Sequence, residues 1–181
     1  MGKLRIRTSL VAGLAIASLL YAGSWVGADH ERHRVKARLH GFNEVPAVSS
    51  TGSGEFTARI HRDALAVDWE LSYEDLEGTV TTASHIHFGQ KDVNGGVSVF
   101  FCGGGGRPAC TPGSGTFSGT FTAADVLAVG PAVGGQGIAA GELSELIAAI
   151  RAGRTYANVH TNKHPGGEIR GQVRSDRDDD D

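Results

Sequence analysis

The segment Glu55-Phe56-Thr57-Ala58-Arg59-Ile60-His61, followed across Arg62-Asp63 by Leu65-Ala66-Val67-Asp68-Trp69-Glu70-Leu71-Ser72-Tyr73, decides the fold class. In its first half Phe56, Ala58 and Ile60 alternate with Glu55, Thr57, Arg59 and His61. In its second half Leu65, Val67, Trp69, Leu71 and Tyr73 alternate with polar or small residues. Successive side chains of a strand point to opposite faces, so a period of two describes two strands that each bury one face. With Arg62-Asp63 as the turn, the whole reads as a β-hairpin. Working outward, further strands are predicted at Val35–His40, Thr81–Phe88, Val97–Phe101, Gly115–Phe121, Thr155–His160 and Glu168–Val173, separated at short intervals by glycine and other turn residues. That rhythm predicts an all-β protein, an antiparallel sandwich or barrel. One short helix is predicted over 142–152, where Leu143, Leu146, Ile147 and Ile150 fall at i, i+3, i+4 and i+7 and Gly153 is placed to end it. Its apolar stripe should pack across one end of the sheets.

Around this domain the ends of the chain differ in character. Lys3, Arg5 and Arg7 precede an apolar run from Leu10 to Val26, and Val26-Gly27-Ala28 offers the small residues that signal peptidase requires. Residues 1–28 therefore read as a secretory signal peptide. The alternative is an uncleaved anchor, because the run sits at the lower limit for spanning a bilayer; it would be this protein's one attachment to a membrane. Residues 29–33 read as a linker, 34–174 as a single domain and 175–181 as an acidic, disordered tail carrying Asp176 and Asp178 to Asp181. Loss of Lys3, Arg5 and Arg7 leaves 14 basic residues against 20 acidic, a net charge of −6, which argues against nucleic acid as a partner. The two cysteines, Cys102 and Cys110, enclose Gly103 to Ala109. In an oxidising compartment they are expected to form one disulfide, and closing so short a loop stabilises by about 2 to 3 kcal/mol in the chain-entropy model. The four glycines in that loop are not a phosphate cradle, since no Gly-Lys-Ser/Thr follows them.

Chemistry concentrates in two segments, Ser84-His85-Ile86-His87-Phe88-Gly89 and Tyr156-Ala157-Asn158-Val159-His160-Thr161, the second continuing to Gly167-Glu168-Ile169-Arg170-Gly171-Gln172. On a strand His85 and His87 share one face, as do Asn158 and His160. If the two strands are neighbours with those faces together, three histidines meet and could hold copper or zinc, both of which suit imidazole nitrogen. The plainer reading is a buried cluster of His and Asn side chains hydrogen-bonded to one another and to nearby carbonyls, fixing strand register.

These segments, with Asn43-Glu44-Val45-Pro46 ahead of them, resemble the CHRD domain family, first recognised in chordin, over roughly Arg34 to Arg174. The resemblance implies an immunoglobulin-like or superoxide dismutase-like sandwich, because that family has been likened to the Cu,Zn superoxide dismutases, whose copper site also begins with His-x-His on a strand. It makes Glu44, Asn158, Glu168 and Arg170 structural motif residues, with an ion pair between Glu44 and Arg170 expected to tie the first segment to the last strand. The zinc half of those enzymes has no counterpart, since no histidine lies between His87 and His160. His164 sits in a turn where the family motif does not require histidine, and His30, His33, His40 and His61 read as solvated surface.

Two functions stay open on this reading. One is a non-enzymatic, secreted or periplasmic binding module for an extracytoplasmic protein or surface ligand, with or without copper or zinc on His85, His87 and His160. The other is a copper-only redox enzyme of superoxide dismutase type. Export itself is testable: the mature protein is expected to start near Asp29, and its intact mass should show no thiol available to alkylation until it is reduced.

Overall fold

The computed structural model describes residues 34–129 and 135–175; the signal-like segment, the 29–33 linker with His30 and His33, and the run 176–181 lie outside the described residues. The hairpin read from the sequence is the pair β2 (Ser53–Ile60) and β3 (Val67–Glu74), antiparallel in unbroken register from Ser53 opposite Glu74 to Ile60 opposite Val67. Its loop is longer than the Arg62-Asp63 turn. The His61 N–H donates to the Ala66 carbonyl at 2.9 Å, and Ala64 takes a left-handed φ of 57° inside the closed loop. Leu65, expected on the buried face, therefore falls in the loop and is 69% exposed.

Around the hairpin lie β1 (Arg34–His40), β4 (Thr81–Phe88), β5 (Gly96–Cys102), β6 (Gly115–Phe121), β7 (Thr155–Thr161), β8 (Ile169–Gln172) and the two-residue β9 (Arg174–Ser175). They form one antiparallel sheet in the order β5-β4-β7-β8-β1-β2-β3-β6, with β9 also on β1. Ser175 pairs with Val35, so the strand runs one residue into the stretch read as tail. The sheet curls until its ends approach. Phe101 of β5 packs across the interior on Phe56 of β2 and Trp69 of β3, with ring centroids at 5.1 and 4.5 Å. The end strands β5 and β6 are joined through loops: Leu127 donates to the Ser98 carbonyl at 2.8 Å, and Arg107 reaches the Thr120 carbonyl and the Asp125 carboxylate at 3.3 and 2.8 Å. The result is a nearly closed all-β barrel or sandwich.

The helix α1 (Leu143–Arg151) is the one α-helix among the described residues, flanked by Glu142 and Ala152 as its caps. It buries Leu143, Leu146, Ile147 and Ile150 in the same core as Val126, Val129 and Ile138. Gly153 ends it with a φ of 64°, a conformation that favours glycine. Trp69 lies where β2, β3 and β5 meet across the interior and is 5% exposed. Trp69→Ala should cost about 3 to 5 kcal/mol, measured as a lowered midpoint in urea.

Candidate metal centre

The pairing of β4 with β7 builds the site. Ile86 stands opposite Ala157, and Ser84 opposite Val159; Ile86, Ala157 and Val159 are fully buried in the core. Strand alternation then sends the intervening residues to the outer face, where His85 pairs with Asn158, His87 with Tyr156 and Ala83 with His160. His85, His87 and His160 each offer a ring nitrogen, and the three nitrogens lie within 4.8 Å of one another. Imidazole nitrogens on a shared tetrahedral ion at about 2.0–2.1 Å sit roughly 3.3 Å apart, inside the 4.8 Å within which these three lie.

Hydrogen bonding decides which nitrogens are available. The Nδ1 of His87 is 2.8 Å from the Gly95 carbonyl, and the Nδ1 of His160 is 2.9 Å from the Pro165 carbonyl. A carbonyl only accepts, so both Nδ1 atoms carry the proton and both Nε2 atoms carry a lone pair. Those Nε2 atoms, and the Nδ1 of His85, are buried without a partner. Each orphaned polar atom costs about 1 to 3 kcal/mol. The buried cluster considered from the sequence forms in part: His87 and His160 bond nearby carbonyls, but no hydrogen bond of ordinary geometry joins the three rings to one another among the described residues.

The rings are held neutral. Burial, then the neighbouring His87 and His160, pushes His85 down to about 2. Burial also dominates at His87, lowering it to about 4; the Gly95 hydrogen bond and the nearby Asn158 amide oppose the shift, while His160 and Arg170 add to it. His160 is lowered by burial against the Pro165 hydrogen bond. Neutral imidazole is the form that binds a metal ion.

Side chains around the triad fix its rings. Tyr156 stacks on His87 with centroids 4.5 Å apart and planes 5° from parallel, and the Arg170 guanidinium lies 3.4 Å from the Tyr156 ring centre. Phe100 of β5 meets His85 edge-on at 5.0 Å. Phe100 is covered in turn by the loop between Cys102 and Cys110, which are disulfide-bonded. A side chain at Gly104 would collide with the Phe100 ring, and Gly103, Gly105 and Gly106 have positive φ. The glycine run is a cover on the site's aromatic wall.

The structural motif residues lie beside the metal candidates in a buried polar layer. Asn158 donates to Glu44 at 2.5 Å, and Gly167 lets this happen: with a φ of 128°, it approaches where any Cβ would strike both groups. No ion pair joins Glu44 to Arg170 among the described residues, contrary to expectation. Arg170 donates to Asn94 at 3.1 Å and to the Gln90 and Val93 carbonyls at 3.3 and 2.9 Å, holding the 90–94 loop instead. Glu168, fully buried, accepts from Ser50, Thr161 and the Glu77 N–H at 2.7, 2.6 and 2.6 Å. Burial alone would raise its carboxyl, but these bonds and one from Gly78 outweigh it and hold the group below its usual range. His164 lies 3.8 Å from Glu77 and outside the triad. His61 binds Asp68 at 2.9 Å.

Residues 35–173 match the CHRD domain profile. The chain belongs to the CHRD domain family. No curated protein and no solved structure matches it. In this CHRD domain the three stretches that carried the resemblance converge: Glu44 bonds Asn158, Asn158 pairs with His85, and Arg170 pairs with Asn158 across β8. Tyr156 was missed as a site residue in the sequence reading, although its position two before Asn158 and four before His160 puts it on their face. Phe100 and the Gly95 and Pro165 carbonyls had no comparable signal.

Glu44 gives a pH test. Burial raises its carboxyl from 4.5 to about 7, against the Arg170 charge and the hydrogen bonds from Asn158 and the Val45 N–H. Between those values the folded state holds a proton that the unfolded chain has released, so Glu44 alone makes stability fall as pH rises through the window. The lowered histidines act oppositely, adding stability as pH rises towards their unfolded value of 6.5. Three histidines outweigh one carboxylate. Metal-free protein should therefore gain stability up to about pH 7 and level off above it, with Glu44 flattening the rise. Urea titrations in chelator should show a steeper rise between about pH 5 and 7 in Glu44→Gln than in wild type.

Proposed function

We propose that this CHRD domain is an exported, non-enzymatic binding module that holds one copper or zinc ion through His85, His87 and His160. The observation that carries the reading is the set of enclosed ring nitrogens with no hydrogen-bond partner, aimed at one another from two paired strands. The donor chemistry fits. Two of the rings are oriented by Nδ1–H bonds to backbone carbonyls, the arrangement that supports metal-ligating histidine elsewhere. The set is all imidazole and neutral, which suits copper and zinc better than calcium or magnesium. The ion would tie β4 to β7 and the 164–167 turn, giving the outer face a rigid centre. The Cys102–Cys110 disulfide fits an extracytoplasmic protein.

Binding without turnover is the expected behaviour, because the outer face brings together no second histidine cluster for zinc among the described residues, and Arg170, which in a copper-only enzyme would guide a small anion, is committed to a loop and an aromatic ring. Calorimetric titration of tag-free protein should show one equivalent of copper or zinc bound. His85→Ala, His87→Ala and His160→Ala should each weaken it by roughly 100-fold or more, while His164→Ala should leave it unchanged. Because burial holds the rings below the ordinary histidine range, the ion should persist through pH 6 and be lost only below about pH 5. The loaded protein should not dismutate superoxide; turnover would favour the redox enzyme, and absence of stoichiometric binding would remove both readings.

A further inference from the structure

One strand from His160 and two from His85 and His87, the same outer face carries a second feature. Lys36, Arg38, Lys91, Arg170 and Arg174 line one groove of about 560 Å³, and Asp92 is the acidic residue among its lining. Five cations against one carboxylate concentrate positive charge in a chain whose net charge is −3. Register produces the convergence. Val35, Ala37 and Leu39 of β1 point into the core, so Lys36 and Arg38 point out. Lys36 pairs with Arg174 on β9, while Arg170 arrives from β8, opposite His40. Lys91 comes from the loop that Arg170 holds through Gln90, Val93 and Asn94.

Arg38, Lys91 and Arg174 make no ion pair among the described residues, although Arg59, Arg107 and Lys163 elsewhere on the surface each find a carboxylate. Arg38, Lys91 and Arg174 repel one another, and the concave wall focuses their field. The size of the groove is that of a small-molecule site rather than of a protein interface. We propose that it binds a small, multiply charged anion whose carboxylates or phosphates are shared among Arg38, Lys91 and Arg174, with Arg170 as the fixed floor. Guanidinium groups suit both anions through paired N–H donors. The site is separate from the histidine centre: His87 pairs with Tyr156 and Tyr156 with Gln172 at the groove, two strand spacings or roughly 10 Å. It does not depend on the metal reading.

The test titrates full-length, metal-free protein with citrate and with inorganic pyrophosphate at low ionic strength. One-to-one binding that weakens as salt is added is expected, and the tighter probe tells carboxylate from phosphate. The combined variant Arg38→Gln, Lys91→Gln, Arg174→Gln should bind at least tenfold more weakly without a lower urea midpoint. Failure of wild type to bind either probe at millimolar concentration, or undiminished binding by the variant, overturns the proposal. A chain ending at Ser175 is the remaining arm, since Asp176 and Asp178 to Asp181 follow Arg174 closely. If the probes bind only that shortened chain, the acidic run is the groove's counterion and the assignment to a separate anion falls.

Discussion

The β4–β7 register is the constraint on which both halves of the molecule depend. Ile86 opposite Ala157 places apolar side chains inside, and the same pairing places His85 opposite Asn158 and His87 opposite Tyr156 outside. A slip of one residue on either strand would bring histidine into the core and expose Ile86 or Val159 to the site. The apolar side of the pair therefore enforces the geometry of the polar side. Burial of Ile86 alone, a side chain worth about 1.5 to 3 kcal/mol when removed from water, opposes such a slip.

On the outer face, polar groups are buried as thoroughly as many core residues: Glu44 is 7% exposed, Asn158 and Arg170 2%, and Glu168 fully covered. They are handled in different ways. Glu168 is surrounded by donors and stays charged at little cost. Arg170 is satisfied by carbonyls, the Asn94 side chain and the Tyr156 ring. Glu44, with one strong side-chain donor, is instead pushed towards its neutral form. A ring nitrogen of each of the three histidines is left without a partner, and so is the Asn158 side-chain oxygen. Equally buried groups in one layer are thus satisfied to different degrees.

Loops cover this face through contacts that small residues permit. Gly167 allows Glu44 and Asn158 to meet, and the glycines between Cys102 and Cys110 lie flat on Phe100, which walls His85. The disulfide fixes the ends of that loop where β5 leaves the sheet. A residue far from the histidines in sequence thus affects ring orientation through one aromatic contact.

Much of this was legible in the chain itself. Alternation in β2 and β3, the 3.6 period of α1 and the parity of His85 with His87 and of Asn158 with His160 are local patterns, and local patterns determine element type and facing. They failed where a hydrogen bond at a distance intervened: the His61–Ala66 closure took Leu65 out of the strand, and carbonyls of the 90–94 loop, rather than Glu44, claimed Arg170. Parity also could not say that β4 and β7 are neighbours, nor that Gly95 and Pro165 would orient two of the rings. The sequence by itself determined which face each histidine takes, because that depends on backbone geometry within one strand. Only the tertiary structure decided that three of them share a space with their lone pairs unclaimed, because strand order and loop closure come from burying the whole apolar set at once.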